Sequence, residues 1–191
     1  MKTVSLVFEY DLEKQKKSGR VWSKEAYRDK DFVFEYSAAS FASFLHKNPK
    51  RVHIVDTDNV DLLYSKIKKY NVNYSNLDIR DSTEIINEWK SKDYCFFPLL
   101  EHIRYHANQS NESVVKLDND LTCLRPIDDL DNFSGILSWK FERNVSSGRD
   151  YWGEKYVCQQ ALGTDNFNEY NTGVLGISKD NLHIVDEFID V

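Results

Sequence analysis

The chain has 191 residues, of which 41% are hydrophobic and 29% charged, and it carries a formal charge of −6. This length supports one sizeable hydrophobic core, and the acidic balance argues against a nucleic-acid-binding protein, because phosphate contacts need a basic face. The sequence shows no apolar run that predicts a transmembrane segment and no pattern typical of a signal peptide, so we expect a cytoplasmic protein. Three widely spaced cysteines, Cys95, Cys123 and Cys158, are typical of reduced thiols and not of a disulfide framework or a zinc site.

The first part of the chain predicts strands alternating with helices. Apolar stretches with strand character occur at residues 3–10, 32–36, 52–55 and 72–79. Apolar residues at helical spacing occur at residues 37–46, 60–70, 81–89 and 94–108. The alternation indicates an α/β fold in a single domain over residues 1–191, either a whole protein or part of a longer chain. The highly charged stretch at residues 11–31 predicts either a solvated loop or a lid.

The most informative stretch is a short strand, residues 113–117, that ends in Asp118-Asn119-Asp120 and is stopped by Pro126. In an extended segment, residues two apart point to the same side, so Asp118 and Asp120 can turn toward one point. Two carboxylates at one point suit Mg²⁺ or Mn²⁺. The alternative is a polar turn after a strand. Further strands are predicted at residues 135–139 and 170–178, and a closing helix at residues 182–189.

A second Asp-x-Asp follows the strand at residues 52–55. The form of Asp56-Thr57-Asp58 resembles that of haloacid-dehalogenase-like phosphatases, which implies Asp56 as nucleophile and Asp58 as general acid. In those enzymes the motif normally follows the first strand, whereas here a strand, a long loop and a helix precede it. We therefore predict that Asp56 and Asp58 do not carry a phosphatase reaction, and we keep that reaction as an alternative function.

Two charged residues lie upstream of Asp118 on one predicted helix. Glu101 and Arg104 are three apart, so they share a helix face. An arginine can bind phosphate or sugar hydroxyls, and a carboxylate can accept hydrogen bonds from hydroxyls. Taken alone, the two residues predict an intrahelical ion pair. Beside the Asp118–Asp120 strand they form a candidate clamp for a phosphorylated ligand.

Together these features resemble the DXD sugar-binding region of GT-A glycosyltransferases, in particular the yeast initiating mannosyltransferase, bacterial capsular-sugar transferases and clostridial glucosylating toxins. Glu101 stands where the family has Asp, while Arg104 and Asp118-Asn119-Asp120 match. Asn171-Thr172-Gly173-Val174 resembles a later strand near the donor sugar. The family's Gly-Gly is absent, and Lys116 occupies its Tyr position.

The resemblance implies a GT-A (Rossmann-like) fold with a mixed, mainly parallel sheet flanked by helices. It also implies a metal-dependent glycosyltransferase that moves a hexose or pentose from a nucleotide-sugar to a glycan or glycoprotein acceptor, and a UDP-linked donor is expected. Mn²⁺ or Mg²⁺ would be held by Asp118 and Asp120, which with Arg104 form the catalytic set. The expected donor-binding residues are Phe8, Tyr10, Glu101, Arg104, Lys116, Asn119 and Asn171. The expected acceptor-side residues are Trp139, Trp152, Asp150 and Glu154. The resemblance favours retention of configuration. An inverting enzyme would need a carboxylate base, for which the candidates are Asp150, Glu154, Asp165 and Glu169.

A non-catalytic carbohydrate-binding or Ca²⁺-binding module is the alternative from another class. Trp139, Tyr151 and Trp152 could form its sugar platform. The predicted order of strands and helices argues against it, because a lectin does not need a nucleotide-binding type of fold.

Overall fold

The computed structural model describes residues 1–9, 30–92, 97–110, 112–128, 133–144, 168–184 and 186. The strands are β1 (Lys2–Val7), β2 (His53–Thr57), β3 (Leu77–Asp81), β4 (Val114–Leu117), β5 (Ile136–Asn144) and β6 (Asn168–Ile177). The helices are α1 (Lys30–Lys47), α2 (Val60–Ile67), α3 (Thr83–Lys92) and α4 (Phe97–Ser110). Single 3₁₀ turns span Tyr74–Asn76 and Lys179–Asn181.

All six strands form one sheet in the order β3-β2-β1-β4-β6-β5. The first four strands in this order are mutually parallel. β6 is antiparallel to β4, and β5 is antiparallel to β6. The predicted fold class, a mixed and mainly parallel sheet flanked by helices, is therefore confirmed.

The three central parallel strands, β1, β2 and β4, are almost fully buried because both of their faces are covered. On one face, Val7, Val55 and Leu117 pack in a core cluster with residues of α1 and α2, including Phe41 and Leu63. On the other face, Val4 and Leu6 of β1 pack in clusters with residues of α3 and α4. The sheet is thus the middle layer of three, and α4 covers the face on which Asp56 and Lys116 lie.

Residues 32–36, predicted as a strand, instead belong to α1. Phe34, Ala38, Phe41 and Leu45 recur at helical spacing, and all four are buried. Burial of this stripe against the sheet overrides the local strand preference of an aromatic-rich stretch. The strand predicted at residues 72–79 is also displaced, because Tyr74–Asn76 forms a 3₁₀ turn and β3 begins at Leu77.

The predicted strand at residues 113–117 and the helix before it are confirmed as β4 and α4. Residues 10–29, which include most of the predicted loop or lid, lie outside the described residues. In the part of the chain that the structure describes, no helix combines the length and the apolar character needed to cross a membrane.

Candidate active site

Asp118 and Asp120 lie at the carboxyl end of β4, which is flanked by β1 and β6. The backbone N–H of Asp118 donates to the carbonyl of Gly173 at 2.8 Å, so the residue that follows β4 is still hydrogen-bonded to β6. The carboxyl ends of the four parallel strands meet at this edge of the sheet. In open α/β sheets, ligands bind outside the carboxyl ends of the strands.

The two carboxylates differ in their surroundings. Asp118 is half-buried, and its Oδ1 accepts a hydrogen bond from the Lys116 ammonium, whose side chain is only 3% exposed. Partial desolvation, and then the negative charge of Asp118, raise the pKa of Asp120. Two neighbouring carboxylates that repel each other fit a divalent cation, since the cation would relieve the repulsion and prefers oxygen ligands. Lys116 already supplies part of that positive charge.

Arg104 is held between two acidic side chains. Its Nε lies 3.6 Å from Glu101 Oε2 and 3.4 Å from Asp186 Oδ1. The predicted Glu101–Arg104 pair is therefore present, and it also connects α4 to the segment that follows β6. Donor binding by Arg104 and Glu101 stays a prediction.

The other predicted donor residues are distributed as follows. Phe8 is 3% exposed and packs with Leu6, Ile86 and Trp89, while the Lys90 ammonium lies 5.1 Å from its ring centroid. This is the environment of a core side chain, and base stacking by Phe8 stays a prediction. Asn119 is half-buried beside Asp118.

On the neighbouring strands, the backbone of Asn171 pairs with that of Trp139 across β6 and β5. Asn171 precedes Val174, the partner of Leu117, by three residues, so its backbone lies past the end of β4, toward the Asp118 edge. Four further predicted residues, Tyr10, Asp150, Trp152 and Glu154, lie outside the described residues.

A buried cluster that the sequence analysis missed lies between α4 and the end of β2. His102 Nε2 and His106 Nε2 are 2.8 Å and 2.6 Å from the same atom, Asp56 Oδ2. The Ser82 hydroxyl donates to Asp56 Oδ1 at 2.7 Å. Asp56 is 1% exposed, and both histidines are fully buried. We call Asp56, His102 and His106 the Asp-His-His cluster. Its one signal in the sequence is the spacing of two histidines four residues apart, which puts both on one helix face.

Charge in this cluster is set by burial and hydrogen bonding. Burial alone raises the pKa of Asp56, but hydrogen bonds from His102, His106 and Ser82 outweigh it and hold that pKa well below its usual range. Burial lowers the pKa of His102 to about 4, against the opposing effect of Asp56. At neutral pH a carboxylate therefore faces a neutral His102 imidazole, which donates through Nε2. Nδ1 of His102 has no hydrogen-bond partner among the described residues.

Comparison with solved structures identifies the architecture. The galactosyltransferase LgtC, in complex with donor and acceptor sugar analogues, superposes with a TM-score of 0.61 at 13% identity, over 98% of this chain and 62% of that one. An active-site mutant of LgtC gives a TM-score of 0.59 at 13% identity, over 100% of this chain and 65% of that one. The chain has a GT-A fold. It spans less than two thirds of the length of these transferases.

No protein-family model matches the sequence, and no curated protein matches it either. At 13% identity the superposition shows the GT-A fold alone.

Within the GT-A sheet, Asp58 fastens three elements together. Its Oδ1 and Oδ2 accept hydrogen bonds from the Glu9 backbone N–H at 2.9 Å and 3.2 Å. Its Oδ2 also lies 3.1 Å from the Lys90 ammonium. These contacts join the end of β1, the end of β2 and α3.

In the phosphatase alternative Asp56 would be the nucleophile, yet its carboxylate is enclosed and already accepts three hydrogen bonds.

Proposed function

We propose that this chain is a metal-dependent glycosyltransferase domain. It would move a hexose or pentose from a nucleotide-sugar, UDP-linked in our proposal, to a glycan or glycoprotein acceptor. The observation that carries the proposal is the position of Asp118-Asn119-Asp120 at the carboxyl end of β4, inside a GT-A sheet. The solved LgtC complex, a galactosyltransferase with donor and acceptor sugar analogues, supports the choice of substrate class.

In this proposal Asp118 and Asp120 hold Mn²⁺ or Mg²⁺. The bound cation supplies positive charge that stabilises the leaving nucleoside diphosphate. Arg104 contacts the donor, and Glu101 orients the guanidinium through the 3.6 Å ion pair. Because α4 is packed against the sheet, Arg104 loses little conformational freedom when a donor binds.

Acceptor binding is assigned to the later part of the chain. Trp139 and Trp152 would contact the acceptor sugar, and Asp150 and Glu154 lie in the same part of the sequence. We propose a retaining reaction, for which neither carboxylate needs to act as a base.

The test is a screen of nucleotide-sugars for Mn²⁺-dependent hydrolysis by the unmodified chain. Asp118→Asn and Asp120→Asn should each lower turnover on the active donor by roughly 10²-fold, the scale of losing a principal electrostatic stabiliser. Asp128→Asn is the matched control, because Asp128 is exposed and, among the described residues, its carboxylate forms only a long, 3.8 Å ion pair with Arg51. Turnover of the double variant equal to that of the parent would remove Asp118 and Asp120 from the reaction.

A further inference from the structure

The Asp-His-His cluster lies apart from the carboxylate pair of the proposed active site. Asp56 lies opposite Leu6 of β1, while Lys116, two residues before Asp118, lies opposite Val4. Asp56 and Asp118 are thus at the same level of the sheet with β1 between them, which separates their backbones by about 10 Å. We propose that the cluster is a second, buried metal site, which binds a transition-metal ion such as Zn²⁺ through Asp56 Oδ2 and the Nε2 atoms of His102 and His106. This proposal does not rest on the transferase function.

The geometry brings three ligand atoms to one point. They lie within 4.8 Å of one another, and all three residues are buried. His102 and His106 are four apart on α4, so successive turns of one rigid helix present both imidazoles to the end of β2. Two imidazole nitrogens and one carboxylate oxygen suit Zn²⁺ and related ions, whereas Mg²⁺ and Mn²⁺ favour sets of oxygen ligands.

Burial of the Asp56 carboxylate also favours an ion at this position. Asp56 is an anionic carboxylate with 1% exposure, and its direct hydrogen-bond partners are two imidazoles and the Ser82 hydroxyl. Buried charges in proteins are generally paired with an opposite charge or coordinate a metal. The Ser82 hydroxyl, 2.7 Å from Oδ1, holds the second carboxylate oxygen, which is the kind of support that ligating carboxylates receive.

Metal binding would require a small expansion of the cluster. The two Nε2–Oδ2 separations, 2.8 Å and 2.6 Å, are hydrogen-bond lengths. Ligands about 2.0–2.1 Å from a tetrahedral ion lie about 3.3 Å apart, so both Nε2–Oδ2 separations must lengthen by roughly half an ångström. Coordination through Nε2 also moves the imidazole proton to Nδ1, where His102 has no described acceptor. We therefore expect weaker binding than at a four-ligand structural zinc site.

The test uses the chain with Asp118→Asn and Asp120→Asn in place and the purification tag removed, so that the carboxylate pair does not contribute. Titration with Co²⁺ should give one equivalent of bound ion with visible d–d absorption, and Zn²⁺ should displace it. Adding His102→Gln or His106→Gln should weaken Co²⁺ binding at least tenfold. His53→Gln is the matched control, because His53 is equally buried but lies between Phe41 and Phe44 on the other face of the sheet.

If the His102 and His106 variants do not fold, X-ray absorption at the Zn edge on the unmodified chain replaces them, and scattering from two imidazoles is then expected. The proposal is overturned if the Asp118→Asn, Asp120→Asn chain binds no Co²⁺, since the cluster is then only hydrogen-bonded. It is equally overturned if His53→Gln abolishes Co²⁺ binding as fully as His102→Gln does. Neither result bears on transfer by the carboxylate pair, which the hydrolysis screen tests separately.

Discussion

Lys116 alters the charge that the Asp-x-Asp pair presents to a ligand. Its ammonium contacts Asp118, and its side chain is 3% exposed, so the interaction is poorly screened by water. A carboxylate that already shares its charge with an ammonium attracts a second cation less strongly. The same ammonium could face the diphosphate of a donor. In our proposal Lys116 therefore sets a balance: its ammonium weakens metal binding by Asp118 and strengthens binding of the donor diphosphate.

Replacing Lys116 with Met tests this balance. We expect Lys116→Met to bind Mn²⁺ alone roughly tenfold more tightly, about 1.4 kcal/mol, because the competing charge is gone. Affinity for the nucleotide-sugar should fall, since a cation beside the diphosphate is lost. Isothermal titration measures both quantities, with exposed Lys50→Met as the control. Mn²⁺ affinity equal to that of the parent would show that the Lys116 contact does not compete with a metal.

Because His53 is buried, we expect the folded protein to lose stability in acid. Burial, followed by the charge of His102, lowers the pKa of His53 from 6.5 to about 3. Between these values the unfolded chain binds a proton that the folded chain does not, so stability falls as the pH falls from about 6.5 to about 3. His53→Phe, which suits a site between Phe41 and Phe44, should reduce that slope by up to about 1.4 kcal/mol per pH unit.

Urea unfolding at a series of pH values measures this slope. His46→Gln removes an exposed histidine of α1 and serves as the control for loss of an imidazole. A slope for His53→Phe that matches the parent across pH 6.5 to 3 would mean that His53 is protonated in the folded state.

Among the elements, Asp58 links the ends of β1 and β2 to α3 by hydrogen bonds and an ion pair. The side chains of Asp58 and Lys90 are 9% and 14% exposed, and Asp58 also accepts the Glu9 backbone N–H. Asp58→Ala should lower the free energy of unfolding by about 2–4 kcal/mol. The nearly buried Lys90 ammonium loses its carboxylate partner and keeps the Glu9 carbonyl at 3.3 Å, and the Glu9 backbone N–H loses its hydrogen bonds to Asp58. Chemical denaturation measures the change.

The exposed pair Glu88–Lys92, also on α3, provides the comparison. Its side chains are 63% and 48% exposed, so Glu88→Ala should cost less than about 0.5 kcal/mol. Equal losses for Asp58→Ala and Glu88→Ala would show that burial does not strengthen the Asp58–Lys90 contact.

At the scale of the whole molecule, the transferase and the sugar- or Ca²⁺-binding alternative predict different stabilising ligands. A donor product with metal, UDP plus Mn²⁺, should raise the free energy of unfolding by about 2.7 kcal/mol at one hundred times its dissociation constant. For a chain of this size that corresponds to roughly 5–10 °C in Tm. Free sugars with Ca²⁺ should leave Tm unchanged. The opposite pattern would favour the binding module over the transferase.

The sequence alone determined the features that depend on local pattern. The alternation of strands and helices predicted an α/β sheet, and the short apolar run before Asp118 predicted β4, because both follow from side-chain periodicity. Local residue spacing also predicted that Asp118 and Asp120 lie at a strand end and that Glu101 pairs with Arg104. It failed at residues 32–36, where burial of Phe34 on the inner face of α1 outweighed local strand preference.

Only the tertiary structure decided which distant residues meet. Asp56 is 46 residues from His102 and 50 from His106, and the packing of α4 across the end of β2 brings them together. Local periodicity carries no information about such pairs, since strand order and helix placement set them. The Asp58–Lys90 contact and the burial of Lys116 beside Asp118 have the same origin. In both, strand order and helix packing determine which side chains surround the carboxylate.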